Sequence, residues 1–168
     1  MTAPATPIEH HPSPPAAPRQ ERPKYEPLLA TYVTAAGLAT LALRASGRRL
    51  AVPQPQDTLL LGIATFKLSR LLTKEKVLAP FREPFVEEAE PGDGSELNSK
   101  PAPTGVRGAI GELLTCPFCL SVWIATALTV LYAIAPRAAR LVASGAAAVT
   151  VADVSQYGYT GLRRATTR

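Results

Sequence analysis

The chain is poor in most of the residue types that carry chemistry. Its 168 positions include two cysteines, two histidines, one tryptophan and one methionine, and only 6% are aromatic. Two cysteines cannot build a disulfide scaffold, nor a complete four-ligand zinc site within one chain. The histidines, His10 and His11, are neighbours in a Pro-rich stretch and offer a metal no preformed site. With so few aromatic rings, neither a base-stacking RNA surface nor a large aromatic core is indicated. No Ser/His/Asp arrangement, phosphate-cradling glycine loop or histidine cluster supports catalysis, and no cofactor is implied. A secretory leader is not expected either, because Met1 to Pro27 holds eight prolines and no apolar run, so insertion would depend on later helices.

What is present is apolar sequence gathered into blocks. A formal charge of +5, from 18 Lys and Arg against 13 Asp and Glu, could serve nucleic acid or anionic lipid. Position decides: most basic residues flank the blocks, where bilayer-spanning segments carry them, and no nucleic-acid partner is expected. The residues predict an all-α polytopic membrane protein of about four transmembrane helices, over 27–43, 58–78, 113–136 and 141–162. Residues 1–26 are expected to be a disordered Pro-rich tail, 83–108 an acidic, Gly/Pro-rich solvated loop, and 163–168 a basic tail. Small residues recur every fourth position at Thr31, Ala35 and Ala39, at Ser121, Ala125, Thr129 and Ala133, and at Ser144, Ala148 and Ala152. Such ridges let membrane helices approach closely.

With four spans, one side receives Arg19, Arg22, Lys24, Lys74, Lys76, Arg82, Lys100, Arg107, Arg163, Arg164 and Arg168. The other receives Arg44, Arg48, Arg49, Arg137 and Arg140. The asymmetry places both termini in the cytoplasm of a bacterial inner membrane. On this topology the second and fourth helices run in the same direction. Arg70 lies thirteen residues after Asp57, as Asp153 lies thirteen after Arg140. An unpaired charge near mid-bilayer costs about 3 kcal/mol or more, so a partner at equal depth is expected. Arg70 is predicted to pair with Asp153, with Lys67 sharing or replacing that role. The alternative leaves Lys67 and Arg70 snorkelling to the cytoplasm and Asp153 facing a polar cavity.

Cys116 and Cys119 stand in Gly-Glu-Leu-Leu-Thr-Cys-Pro-Phe-Cys-Leu at the start of the third helix, with Thr115 as the expected N-cap and Pro117 in the first turn. Three readings stay open. The sulfurs act as small apolar packing groups, as a membrane thiol-disulfide pair, or as half of a metal site completed by a second chain. The simplest function is a structural or partner-binding membrane component. Its partners are the bilayer and either a second copy or another membrane protein; the rival is a dithiol oxidoreductase.

Three stretches carry a resemblance: ATFKLSRLLTKEKVLAPFR from Ala64, GELLTCPFCLSVW from Gly111, and ADVSQYGYTGLRR from Ala152. They resemble a bacterial family of small membrane proteins known as a domain of unknown function, catalogued as number thirteen-sixty, which includes a Bacillus sporulation protein. The chain differs from that pattern in carrying Lys67 where Arg is usual, and Val154-Ser155 where an aromatic-aliphatic pair is usual. The resemblance implies membrane residence and brings no catalytic residue or ligand with it.

Overall fold

The computed structural model describes residues 25–166 except 93, 95 and 104. The expected disordered tail, with His10 and His11, lies almost wholly outside the described residues. Six α-helices and one small sheet follow in the order α1 (Glu26–Ala45), α2 (Pro55–Thr73), α3 (Ala79–Arg82), β1 (Val86–Pro91), β2 (Leu97–Pro101), α4 (Gly105–Thr115), α5 (Pro117–Ile134) and α6 (Pro136–Thr166). Prolines open α2, α5 and α6, where a missing N–H has no intrahelical partner to lose. At α2 the Gln54 side chain and the Asp57 carboxylate complete a reciprocal cap on the first turn.

Among the described residues, three helices are long and apolar enough to cross a membrane: α1, α5 and α6. The expectation of four spans is met only to that extent. Asp57, Lys67 and Arg70 interrupt α2, and its last turns bury Lys67, Ser69 and Thr73 instead of presenting apolar side chains. The all-α expectation needs a second correction. Segment 83–108 is no structureless loop: β1 and β2 pair antiparallel across it, with a bulge between Glu87 and Ala89. The third block also divides. Residues up to Thr115 belong to α4, and α5 begins only at Pro117. Proline restricts the residue before it to extended backbone, and Cys116 adopts that conformation, so the break falls there.

The core is a three-helix seam of α2, α5 and α6, filled by Leu61, Ala64, Leu128, Tyr132, Ala139, Ala143 and Ala146. Small side chains on α2 and α6 let the two backbones approach. The contact row on α6 is Ala139, Ala143 and Ala146, whereas Ser144, Ala148 and Ala152 are exposed, so the anticipated ridge faces outward. Helix α1 buries no residue. It leans on α5 through Tyr32, whose ring meets Trp123 edge-on at 5.2 Å and whose hydroxyl lies 2.8 Å from Thr126 Oγ1.

A second packing centre ties the hairpin to α4. Ala102 N–H donates to Phe85 O at 3.1 Å, and Gly108 and Gly111 lie directly beneath that strand exit. A Cβ on Gly111 would stand 2.2 Å from Phe85 O and 3.2 Å from Ala102 N, closer than backbone atoms tolerate. Gly111→Ala is therefore expected to lower stability by about 1–3 kcal/mol through overpacking. Gly62→Ala, with nothing within 4 Å, should be neutral or mildly stabilising. Thermal unfolding of the two variants in detergent, followed by Trp123 fluorescence, checks both.

Candidate functional site

Two constellations deserve the name, one of charges and one of thiols. The charges sit on α2 and face α6 at two levels. At the first, Asp57 is 4% exposed and meets four hydrogen bonds. Arg140 donates Nε to Oδ1 and an NH2 to Oδ2, both at 2.8 Å, in the planar fork that suits a carboxylate. Tyr132 donates to Oδ2 at 2.7 Å, and Gln54 N–H reaches the same oxygen at 3.4 Å. Arg140 also donates to the Tyr132 hydroxyl at 2.9 Å, which closes a triangle between α2, α5 and α6.

At the second level Lys67, 6% exposed, bonds Asp153 Oδ2 at 2.7 Å and Glu75 Oε1 at 3.1 Å. Arg70 pairs with Glu96 at the hairpin, not with Asp153. The predicted Arg70–Asp153 pair is thus replaced by Lys67–Asp153. Counting residues along the two helices omits azimuth. At about 100° per residue, Arg70 stands roughly 220° around the helix from Asp57, away from the face that carries Leu61 and Ala64. Lys67 lies nearer that face, so its ammonium reaches α6.

The hairpin completes the charged end. Leu97 N–H donates to Lys74 O at 2.7 Å, Lys74 Nζ to Asn98 Oδ1 at 3.2 Å, and Glu75 bridges Glu96. Arg82 is 1% exposed and donates to Leu72 O and Glu75 O, both at 3.0 Å. Leu72 O is among the last carbonyls of α2, which lack an intrahelical partner, and Glu75 O also accepts Leu78 N–H at 3.3 Å. Its burial pushes the guanidinium below its usual pKa, while the Glu75 carboxylate opposes the shift. Arg82, Glu75, Glu96 and Tyr132 were invisible as site residues in the sequence. Asp57 and Arg140 served there only as helix-edge markers.

The thiols lie on the other side of α5. Cys116, rather than Thr115, caps that helix: its sulfur accepts Cys119 N–H at 3.3 Å, while the Thr115 hydroxyl turns back to Glu112 O at 3.2 Å. The Cys119 thiol also donates to Cys116 Sγ at 2.7 Å, and both cysteines are free. They face a cavity of about 460 Å³ between α1, α4 and α5, walled also by Tyr25, Tyr32, Glu112 and Trp123. Glu112 keeps one buried carboxylate oxygen without a partner. The same carboxylate, drawing a hydrogen bond from the Tyr25 hydroxyl, pushes that phenol up to about 12. Among the described residues no cluster of three or more His, Cys, Asp or Glu is placed to hold a metal ion.

Residues 60–159 match the family described as "Protein of unknown function (DUF1360)". The chain belongs to this family. It is also 43% identical over 84 residues to the "Sporulation protein YjcA" of Bacillus subtilis (strain 168), covering 48% of this chain and 71% of that protein. No solved structure matches the chain. The family match includes Lys67, Arg70, Glu75, Glu96, both thiols, Tyr132, Arg140 and Asp153. It begins after Asp57 and leaves α1 outside, so the α1 wall of the thiol cavity is an addition to the family region.

The triangle at Asp57 makes a quantitative demand. Asp57→Asn removes the carboxylate charge from a buried position and should cost about 3 kcal/mol, at the lower end for breaking a buried pair because Arg140 is half exposed. Tyr132→Phe removes hydrogen bonds alone and should cost about 1–2 kcal/mol. A double-mutant cycle by denaturant titration should show the two losses to be non-additive.

Proposed function

We propose that this chain is a four-span membrane component whose task is to bind a second copy of itself or another membrane protein. Both termini would lie on the cytoplasmic side of a bacterial inner membrane. The observation that carries this reading is the division of labour between inner and outer helix faces. Asp57 and Lys67 of α2 close on Arg140 and Asp153 of α6, and Arg70 closes on Glu96 of the hairpin, so α2 can cross beside α6 with each of its three formal charges paired. The small residues Thr31 and Ala35 of α1, and Ser144, Ala148 and Ala152 of α6, are exposed, and Val149 and Val151 flank the α6 row. Outward small-residue ridges set among apolar side chains suit contact with another helix in lipid. In this orientation the Asp57 triangle sits near the outer surface, and the Lys67 cluster and hairpin near the inner one.

A second reading, a membrane dithiol oxidoreductase, draws on a different observation. Two free sulfurs in mutual contact at a helix N-terminus face a cavity instead of packing shut.

Two measurements test the primary reading. Labelling Cys116 and Cys119 with a membrane-impermeant maleimide should succeed only after cell lysis; labelling of intact cells would reverse the orientation. Lys67→Asp and Asp153→Lys should each reduce accumulation in the membrane, and the double exchange should restore it. Failure of that rescue, with each single variant depleted, would remove the ion pair as the reason α2 can span.

A further inference from the structure

We propose that the cavity between α1, α4 and α5 binds a lipid-soluble quinone, which oxidises the Cys116–Cys119 dithiol to a disulfide. The proposal deepens the second reading above and rests on it. Four features of the site converge on this ligand class. The cavity volume of about 460 Å³ lies within the range of small-molecule sites. Its walls join aliphatic side chains of α1 and α5 to the rings of Tyr32 and Trp123, which are suited to a flat conjugated ring. Helix α1 buries nothing and touches α5 mainly through those rings, so a molecule dissolved in lipid can enter between the two helices. Tyr25 and Glu112 supply the polar end, a phenol and a carboxylate able to hydrogen-bond quinone or quinol oxygens.

The thiols are arranged for the reaction. Two donors, the N–H and the S–H of Cys119, converge on the Cys116 sulfur and hold it at the cavity wall. Cys116 is therefore the attacking sulfur. Its S–H proton leaves, and the thiolate adds to a carbon of the quinone ring. The Cys119 sulfur, losing its own proton, then attacks Cys116. An S–S bond forms, and the S–ring bond breaks with its electron pair passing to the ring. Two S–H bonds are lost, two electrons reduce the quinone, and the two protons end on its oxygens as the quinol. Because the chain holds a single thiol pair, the disulfide is an endpoint that an external thiol must reduce, which suits a site that reports the oxidation state of the quinone pool.

The test uses the full chain, reduced, desalted under anaerobic conditions and reconstituted in lipid nanodiscs. Decylubiquinone is added, whose fully substituted ring disfavours permanent arylation of the thiols. Disulfide formation is read by maleimide-polyethylene-glycol gel shift, and quinol by ultraviolet absorbance; diamide serves as a ligand-independent oxidant. One quinol per disulfide is expected, with none from Cys116→Ser or Cys119→Ser. Trp123→Ala should raise the half-saturating quinone concentration roughly tenfold through the loss of one aromatic contact, and Val122→Trp should raise it by filling the cavity. If diamide forms the disulfide and the quinone does not, the quinone site is wrong while the dithiol reading stands. If neither oxidant forms it, both fail. Unchanged dithiol oxidation by the quinone in the two cavity variants would place the reaction outside the cavity and overturn the assignment.

Discussion

The architecture depends on one constraint: α2 carries Asp57, Lys67 and Arg70 through a bundle otherwise built from apolar and small residues, and each must find an opposite charge. An isolated ion in such surroundings costs several kcal/mol, whereas a paired and hydrogen-bonded one is tolerated. The pairs do more than neutralise. Asp57 with Arg140 and Lys67 with Asp153 join α2 to α6 at two levels, which sets both the register and the parallel direction of those helices. Nonspecific apolar packing would leave a sliding degree of freedom that two separate ion pairs remove.

The segment between α2 and α5 follows from the same constraint. Arg70 faces away from α6, and the hairpin brings Glu96 to it, while Glu75 supplies a second carboxylate to Lys67. Arg82 then closes the carbonyl end of α2. The acidic residues of this stretch, which read as a solvated linker, are in part the counter-ions of the cationic end of α2. Gly108 and Gly111 permit α4 to lie against the hairpin exit closely enough to hold it in place. Charge compensation and close backbone packing are thus coupled, because the counter-ions are delivered by a folded unit.

The thiol cavity is independent of this machinery. It forms where the α4–α5 break at Cys116 leaves both sulfurs uncovered by the seam and where α1 closes over them loosely. The family region alone provides the sulfurs and Glu112, and α1 with its N-cap residue adds Tyr32 and Tyr25. The two regions are therefore distinct: a charged seam that joins α2 to α6, and a largely apolar recess at its side.

Much of the fold is legible in the sequence. Apolar runs, proline at helix starts and basic flanks identify α1, α5 and α6, because each is a local property of consecutive residues. The need for a partner for Asp153, a lone charge in an apolar run, was equally legible, since the cost of a bare charge in apolar surroundings does not depend on the fold. Which cation supplies it was not. Depth follows from counting residues along one helix, but the choice between Lys67 and Arg70 depends on rotation about that helix and on where a distant hairpin places Glu96. The same limit hid the Asp57–Tyr132–Arg140 triangle, whose members stand 75 and 83 positions from Asp57 in the chain. The sequence by itself determined which segments are apolar and which charges must be compensated; the tertiary structure alone decided the partners, because hydrogen-bond geometry is settled by helix azimuth and backbone approach, and neither is encoded by residues near one another in sequence.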